Sequence, residues 1–154
     1  MCGDALDVRG NEVLTGAYKP TKQVQLWDVR TRELLSTVPY RQLADADDGP
    51  AAAGLAVPCQ VYSALFAAAD GGGALIAAAG SGCTEGSGEL RVFERDGLSP
   101  VGRHVQQKAI YSLDASRSRT GSGTRLRIAV TGGANSVKML ELAEQPASVE
   151  LELA

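Results

Sequence analysis

The chain has 154 residues, 44% hydrophobic and 21% charged, which suits one globular domain spanning residues 1–154 with a core of its own. A formal charge of −3 excludes a phosphate-binding field spread over the whole domain, so no nucleic-acid partner is expected. Aromatic residues supply only 5%, so the core is expected to be built from small and aliphatic side chains.

The first seven residues hold neither a basic nor an apolar run, so they do not read as a secretory signal. Cys2, Cys59 and Cys83 are scattered without a CxxC pair, a poor disulfide framework and a poor zinc site. They read as reduced thiols of a cytoplasmic protein, or a nuclear one. The longest stretch without a charged residue, 49–69, is broken by Pro50 and Pro58 and does not suit a bilayer, so no membrane partner is expected.

Three segments, 5–40, 61–105 and 109–154, share one plan of four short strands. In the first, strands are expected over 5–8, 13–17, 24–29 and 34–38. Residues 41–60 follow as an insertion rich in Ala, Asp, Gly and Pro, expected to be a mobile loop. In the second segment the strands fall over 61–66, 75–80, 90–93 and 98–105. In the third they fall over 110–114, 128–132, 137–140 and 149–153. The Tyr-Ser pairs at Tyr62-Ser63 and Tyr111-Ser112 are the clearest internal echo. The second strand of each segment ends in small residues and Gly, which permits close backbone approach. The third strand of each alternates apolar and polar residues, the period of a half-buried strand. Loops are expected over 80–88 and 116–124. No window holds a sustained helical period; the nearest, 42–53, is broken by Asp47-Asp48-Gly49-Pro50. The fold expected is all-β.

The stretch Val24-Gln25-Leu26-Trp27-Asp28-Val29, with a polar turn behind it and Gly16 upstream, resembles a blade of the WD-repeat β-propeller family. The second segment carries Phe93-Glu94 and the third Leu140-Glu141 at the matching place. The resemblance implies an all-β propeller arc of about three degenerate four-stranded antiparallel blades. Trp27, Asp28, Phe93 and Leu140 would be its structural blade residues, with Trp27 filling the gap between neighbouring sheets. No Gly-His pair precedes a first strand, and Ala134 stands where the third repeat would carry an acid. The family's His–Ser/Thr–Trp hydrogen-bond network is therefore expected to be absent. A propeller closes with four to eight blades. The arc is thus expected to be part of a longer protein, or to be completed by a second copy or another subunit.

Groups that could carry chemistry are sparse. His104 is the only histidine and is expected on a strand at the rim, which leaves no Ser-His-Asp or Cys-His site. The Gly-rich stretch 80–88 is reminiscent of a phosphate loop, but a strand follows it instead of a helix. Asp45 to Gly49 begins like a calcium loop yet lacks its closing Glu, since Ala56 is there. Arg117, Arg119, Arg125 and Arg127 surround Ser and Thr, a pattern for an anion contact or phosphorylation.

The function expected is that of a non-catalytic protein-interaction scaffold with no cofactor and no metal. Two alternatives are a small ligand- or nucleotide-binding β-domain enzyme using the stretch from Gly80 to Gly88, and a phosphorylation-regulated adaptor. In the resembling family partners meet the face built by the loops before the first strand and after the second. Carried over, that face points to Tyr18, Tyr40, Arg41, Tyr62, Arg103, Lys108 and Tyr111, Tyr and Arg being favoured at interface hot spots.

Overall fold

The computed structural model describes residues 4–40, 60–68, 74–82, 86–120, 123–142 and 152–153. They form twelve strands and, among the described residues, no helix. The first sheet holds β1 (Leu6–Arg9), β2 (Glu12–Gly16), β3 (Val24–Asp28) and β4 (Leu34–Val38). The second holds β5 (Val61–Ala68), β6 (Ala74–Ser81), β7 (Ser87–Glu94) and β8 (Pro100–Gln107). The third holds β9 (Ile110–Thr120), β10 (Gly123–Gly132), β11 (Val137–Leu142) and β12 (Glu152–Leu153). Each is a four-stranded antiparallel meander in which chain neighbours pair.

The sheets stack face to face in chain order. Strand alternation places Leu14, Val24, Leu26 and Val38 on one side of the first sheet. There they share a buried cluster with Ala64, Ile76, Ala78 and Phe93 of the second. The opposite side of the second sheet offers Leu75, Ala77, Ala79, Leu90 and Val92 to Leu113, Leu126, Ile128, Val130, Leu140 and Leu142 of the third. The core between the second and third sheets is aliphatic, while that between the first and second adds Tyr40 and Phe93 to its aliphatic residues. Burial of this apolar area is the main stabilising term, at roughly 25 cal/mol per Å².

Register shows how closely the three units repeat. Trp27 lies opposite Val13, Phe93 opposite Ile76, and Leu140 opposite Ile128. These three bulky residues thus share one seat, on the side facing the preceding sheet. Phe93 is 1% exposed and Leu140 fully buried. Trp27 departs from expectation: it fills no gap between sheets, because within the described chain no sheet precedes the first, and it is half-buried.

The turns repeat as well. Asp28 N donates to Glu33 O at 3.0 Å and Glu94 N to Ser99 O at 2.9 Å, and both turns carry a left-handed residue at the same step, Arg32 (φ 62) and Leu98 (φ 53). Asp28 closes its turn further, its Oδ1 accepting Arg30 N at 2.7 Å. These bonds to Arg30 hold the Asp28 carboxyl below its ordinary range.

Two further expectations change. The Trp27 indole Nε1 donates to Thr15 Oγ1 at 3.1 Å, so a Thr–Trp link exists where the polar network was expected to be wholly missing. Thr15 is one step off Val13, diagonal to Trp27, which is within reach of an indole. Much of the stretch 116–124, expected as a loop, is a strand hairpin instead: β9 runs through Thr120 and β10 begins at Gly123, paired residue by residue. The insertion over 41–59, the stretch 83–85, and Cys2, Cys59 and Cys83 lie outside the described residues, as do Asp45 to Gly49 and Ala56.

Candidate interaction surface

β5 and β9, the first strands of the second and third sheets, each begin with a β-bulge in the same register. Val61 pairs with Gly80 and Ser63 with Ala79, which leaves Tyr62 as the extra residue. Ile110 pairs with Gly132 and Ser112 with Thr131, which leaves Tyr111 as the extra residue. A bulge bends its strand and re-aims the unpaired side chain. Here it turns both tyrosines toward one end of the molecule. Their ring centroids are 5.2 Å apart, edge to face. Tyr18, from the turn between β2 and β3, closes on the other side of Tyr62 at 5.0 Å. Three tyrosines from three sheets thus make one continuous ladder. Its middle ring is half-buried, while Tyr18 is 46% and Tyr111 52% exposed.

Close backbone approach sets this end. A Cβ on Gly80 would lie 1.8 Å from Gln60 O, and one on Gly132 would lie 2.0 Å from Ala109 O. Only glycine fits at these two seats. The residues after them, Ser81 and Gly133, donate their amides to those same oxygens at 3.0 Å. Gly16 is also tightly enclosed, but one register step earlier. Lys108, exposed and at φ 78, ties its amide to Gly86 O at 2.7 Å. A Cβ added to Gly133 would lie 3.3 Å from Lys108 Cβ and 3.7 Å from Tyr111 Oη, so Lys108 lines the same end as the ladder.

Beneath the ladder a serine joins all three units. Ser63 Oγ donates to Asp4 O at 3.4 Å and accepts Leu113 N at 3.3 Å. Ser112 Oγ donates to Asp4 Oδ2 at 3.2 Å. Asp7 Oδ2 accepts Phe66 N at 2.7 Å, a second link from the first sheet to the second. Sequence reasoning missed these residues. The repeated Tyr-Ser pair was the available signal, with tyrosine turned out and serine turned in.

Two residues expected at a partner surface are placed elsewhere. Tyr40 is 1% exposed in the core between the first two sheets, 6.4 Å from the Phe93 ring, with its hydroxyl donating to Glu89 O at 3.0 Å. It is a buried anchor and not a contact residue. Arg103 is committed to an ion-pair cluster: Glu89, fully buried, accepts Arg91 Nε at 2.6 Å and Arg103 Nε at 2.9 Å. Alternation puts these three on the same side of the second sheet as Phe93. Arg41 lies outside the described residues.

His104 is on β8, the edge strand of the second sheet, and is half-buried there. It lies opposite Leu90 on the side facing the third sheet, its Nε2 is buried without a hydrogen-bond partner among the described residues, and burial together with nearby Lys138 pushes its pKa down. The described part of the Gly-rich stretch joins two antiparallel strands, with the Gly82 amide donating to Ser87 O at 2.8 Å. Arg125 and Arg127 both pair with Glu141, at 3.1 and 2.7 Å, which lowers the Glu141 pKa. Among the described residues no group of three His, Cys, Asp or Glu side chains could hold a metal, and no helix is long and apolar enough to cross a membrane.

No protein-family model matches this chain, and no curated protein is detectably similar to it in sequence. The reading of this surface rests on its geometry.

Proposed function

We propose that the chain is a β-propeller arc of WD-repeat type, which acts as a non-catalytic scaffold and holds other proteins through the Tyr18–Tyr62–Tyr111 ladder. The observation that carries this reading is the ladder itself. Two bulges in one register deliver tyrosines from successive sheets to a single exposed edge, and a third ring extends it. Tyrosine offers large, stiff contact area with a polar tip, the combination favoured at interface hot spots. Lys108 adds an exposed cation beside the rings. The repeated seat of Trp27, Phe93 and Leu140 supports the propeller part of the reading, since it gives each sheet the same stacking face.

A photo-crosslinking residue placed at Tyr111 tests this, against the same residue at Arg30 in a turn at the opposite end of the strands. The reading expects a defined set of proteins captured from position 111, lost when Tyr62→Ala is added, and not captured from position 30. Equal capture from both ends, or capture indifferent to Tyr62→Ala, contradicts it.

A further inference from the structure

We propose that two copies of this chain join head to tail, the outer side of the first sheet in one copy packing on the outer side of the third sheet in the other. The inference rests on how the sheets stack and not on the scaffold role or its tyrosines.

Each internal joint in this molecule has two halves. One is a ridge that a sheet presses onto the sheet before it. In the second sheet the ridge is Ala64, Phe66, Ile76, Ala78 and Phe93, and in the third it is Leu113, Ala115, Ile128, Val130 and Leu140. Register identifies the same five seats in the first sheet as Leu6, Val8, Val13, Thr15 and Trp27. Among the described residues no other sheet covers them: Leu6 is 53% and Val8 56% exposed, while Val13, Thr15 and Trp27 are half-buried. The first sheet therefore keeps the apolar ridge of a joint that no other described residue completes.

The other half is a seat row that receives the ridge. In the first sheet its centre is Leu14, Val24 and Leu26, and in the second it is Ala77, Leu90 and Val92, all fully buried. The same register positions in the third sheet are Ala129, Val137 and Met139, again all apolar, yet Val137 is 71% and Met139 39% exposed. Asp7, on the receiving side of the first sheet, bonds Val8 N at 2.7 Å with one oxygen and the next sheet's Phe66 N with the other. Asp114 occupies the equivalent seat in the third sheet and repeats the local bond, to Ala115 N at 2.8 Å. Its second oxygen meets no donor among the described residues, and alternation puts Asp114 on the outer side of the third sheet. The Arg125, Arg127 and Glu141 pairs are on this receiving side, and Arg127 holds the register place of Glu12, which forms an ion pair with Arg95 across the first joint.

One molecule thus exposes both halves of a joint that it builds twice internally, and the halves are on opposite sides. That geometry selects a second copy in head-to-tail order over a back-to-back pair, which would set ridge against ridge. Two copies closed by two identical joints would leave neither outer side bare.

Sedimentation equilibrium of the intact chain, with Val8→Glu and Val137→Glu variants, tests this. Both side chains are exposed, so each variant is expected to retain its circular dichroism. The wild type is expected at twice the 16.0 kDa chain mass and each variant alone at the single-chain mass. An equimolar mixture of the variants regains the double mass, because one joint in the mixed pair has two unaltered halves. A monomeric wild type, an open series of larger species, a Val137→Glu variant that stays paired, or a mixture that stays monomeric each overturns the proposal.

Discussion

Tyr62 and Tyr111 are the extra residues of two β-bulges in the same register, one sheet apart, and their rings meet edge to face at 5.2 Å. Tyr62 also touches Tyr18, so it is the shared member of two ring pairs. Such pairs contribute about 0.5–1.5 kcal/mol each beyond area burial. Tyr62→Ala is therefore expected to lower unfolding free energy by about 2–3 kcal/mol and the more exposed Tyr111→Ala by about 1 kcal/mol. Urea unfolding of the two variants checks the order.

Gly80→Ala and Gly132→Ala would force a methyl group onto Gln60 O and Ala109 O, both backbone atoms that cannot rotate away. Each is expected to cost about 2–3 kcal/mol, the upper range for overpacking. Gly10, at φ 59 with open space around its Cβ position, faces only the left-handed penalty, so Gly10→Ala should cost about 1 kcal/mol. Thermal melts of the three variants separate steric from conformational cost.

Glu89 is fully buried between Arg91 and Arg103. Glu89→Gln removes the charge that both guanidinium groups share in a largely buried cluster and is expected to cost about 3 kcal/mol. Replacing all three by apolar residues of similar size should recover most of that loss, because a buried ion cluster gains little over well-packed apolar groups. Denaturant midpoints of the single and triple variants decide it.

His104 has its pKa held down by burial first and by Lys138 second. The unfolded chain then takes up a proton more readily than the folded one. Its contribution to stability is present above the ordinary value of about 6.5 and is lost as pH falls below it. His104→Gln is expected to flatten the stability profile below that pH, as measured by urea unfolding across a pH series.

How far the sequence could be read differs from element to element. The third strands were plain because Val24 to Leu26, Leu90 to Val92 and Val137 to Met139 alternate apolar and polar residues and a further apolar residue follows each. The glycine requirement at the ends of β6 and β10 followed from Gly80 and Gly132 in their small-residue settings. The hairpin over β9 and β10 was hidden because its Ser, Arg and Thr offer no apolar side to betray a strand; pairing extends it regardless. Tyr40 misled because burial of the residue after β4 depends on a sheet far along the chain. The Glu89 cluster was missed because charged residues on a strand ordinarily signal a solvent side, and here they share a side with Phe93.

Cross-peaks between side-chain protons in a nuclear Overhauser spectrum test the repeated seat most directly. The Phe93 ring should show contacts to methyl groups of the first sheet's cluster (Leu14, Val24, Leu26, Val38), and the Leu140 methyls to those of the second (Ala77, Ala79, Leu90, Val92). A Phe93 ring and Leu140 methyls whose cross-peaks stay within their own sheets would contradict three stacked copies of one unit.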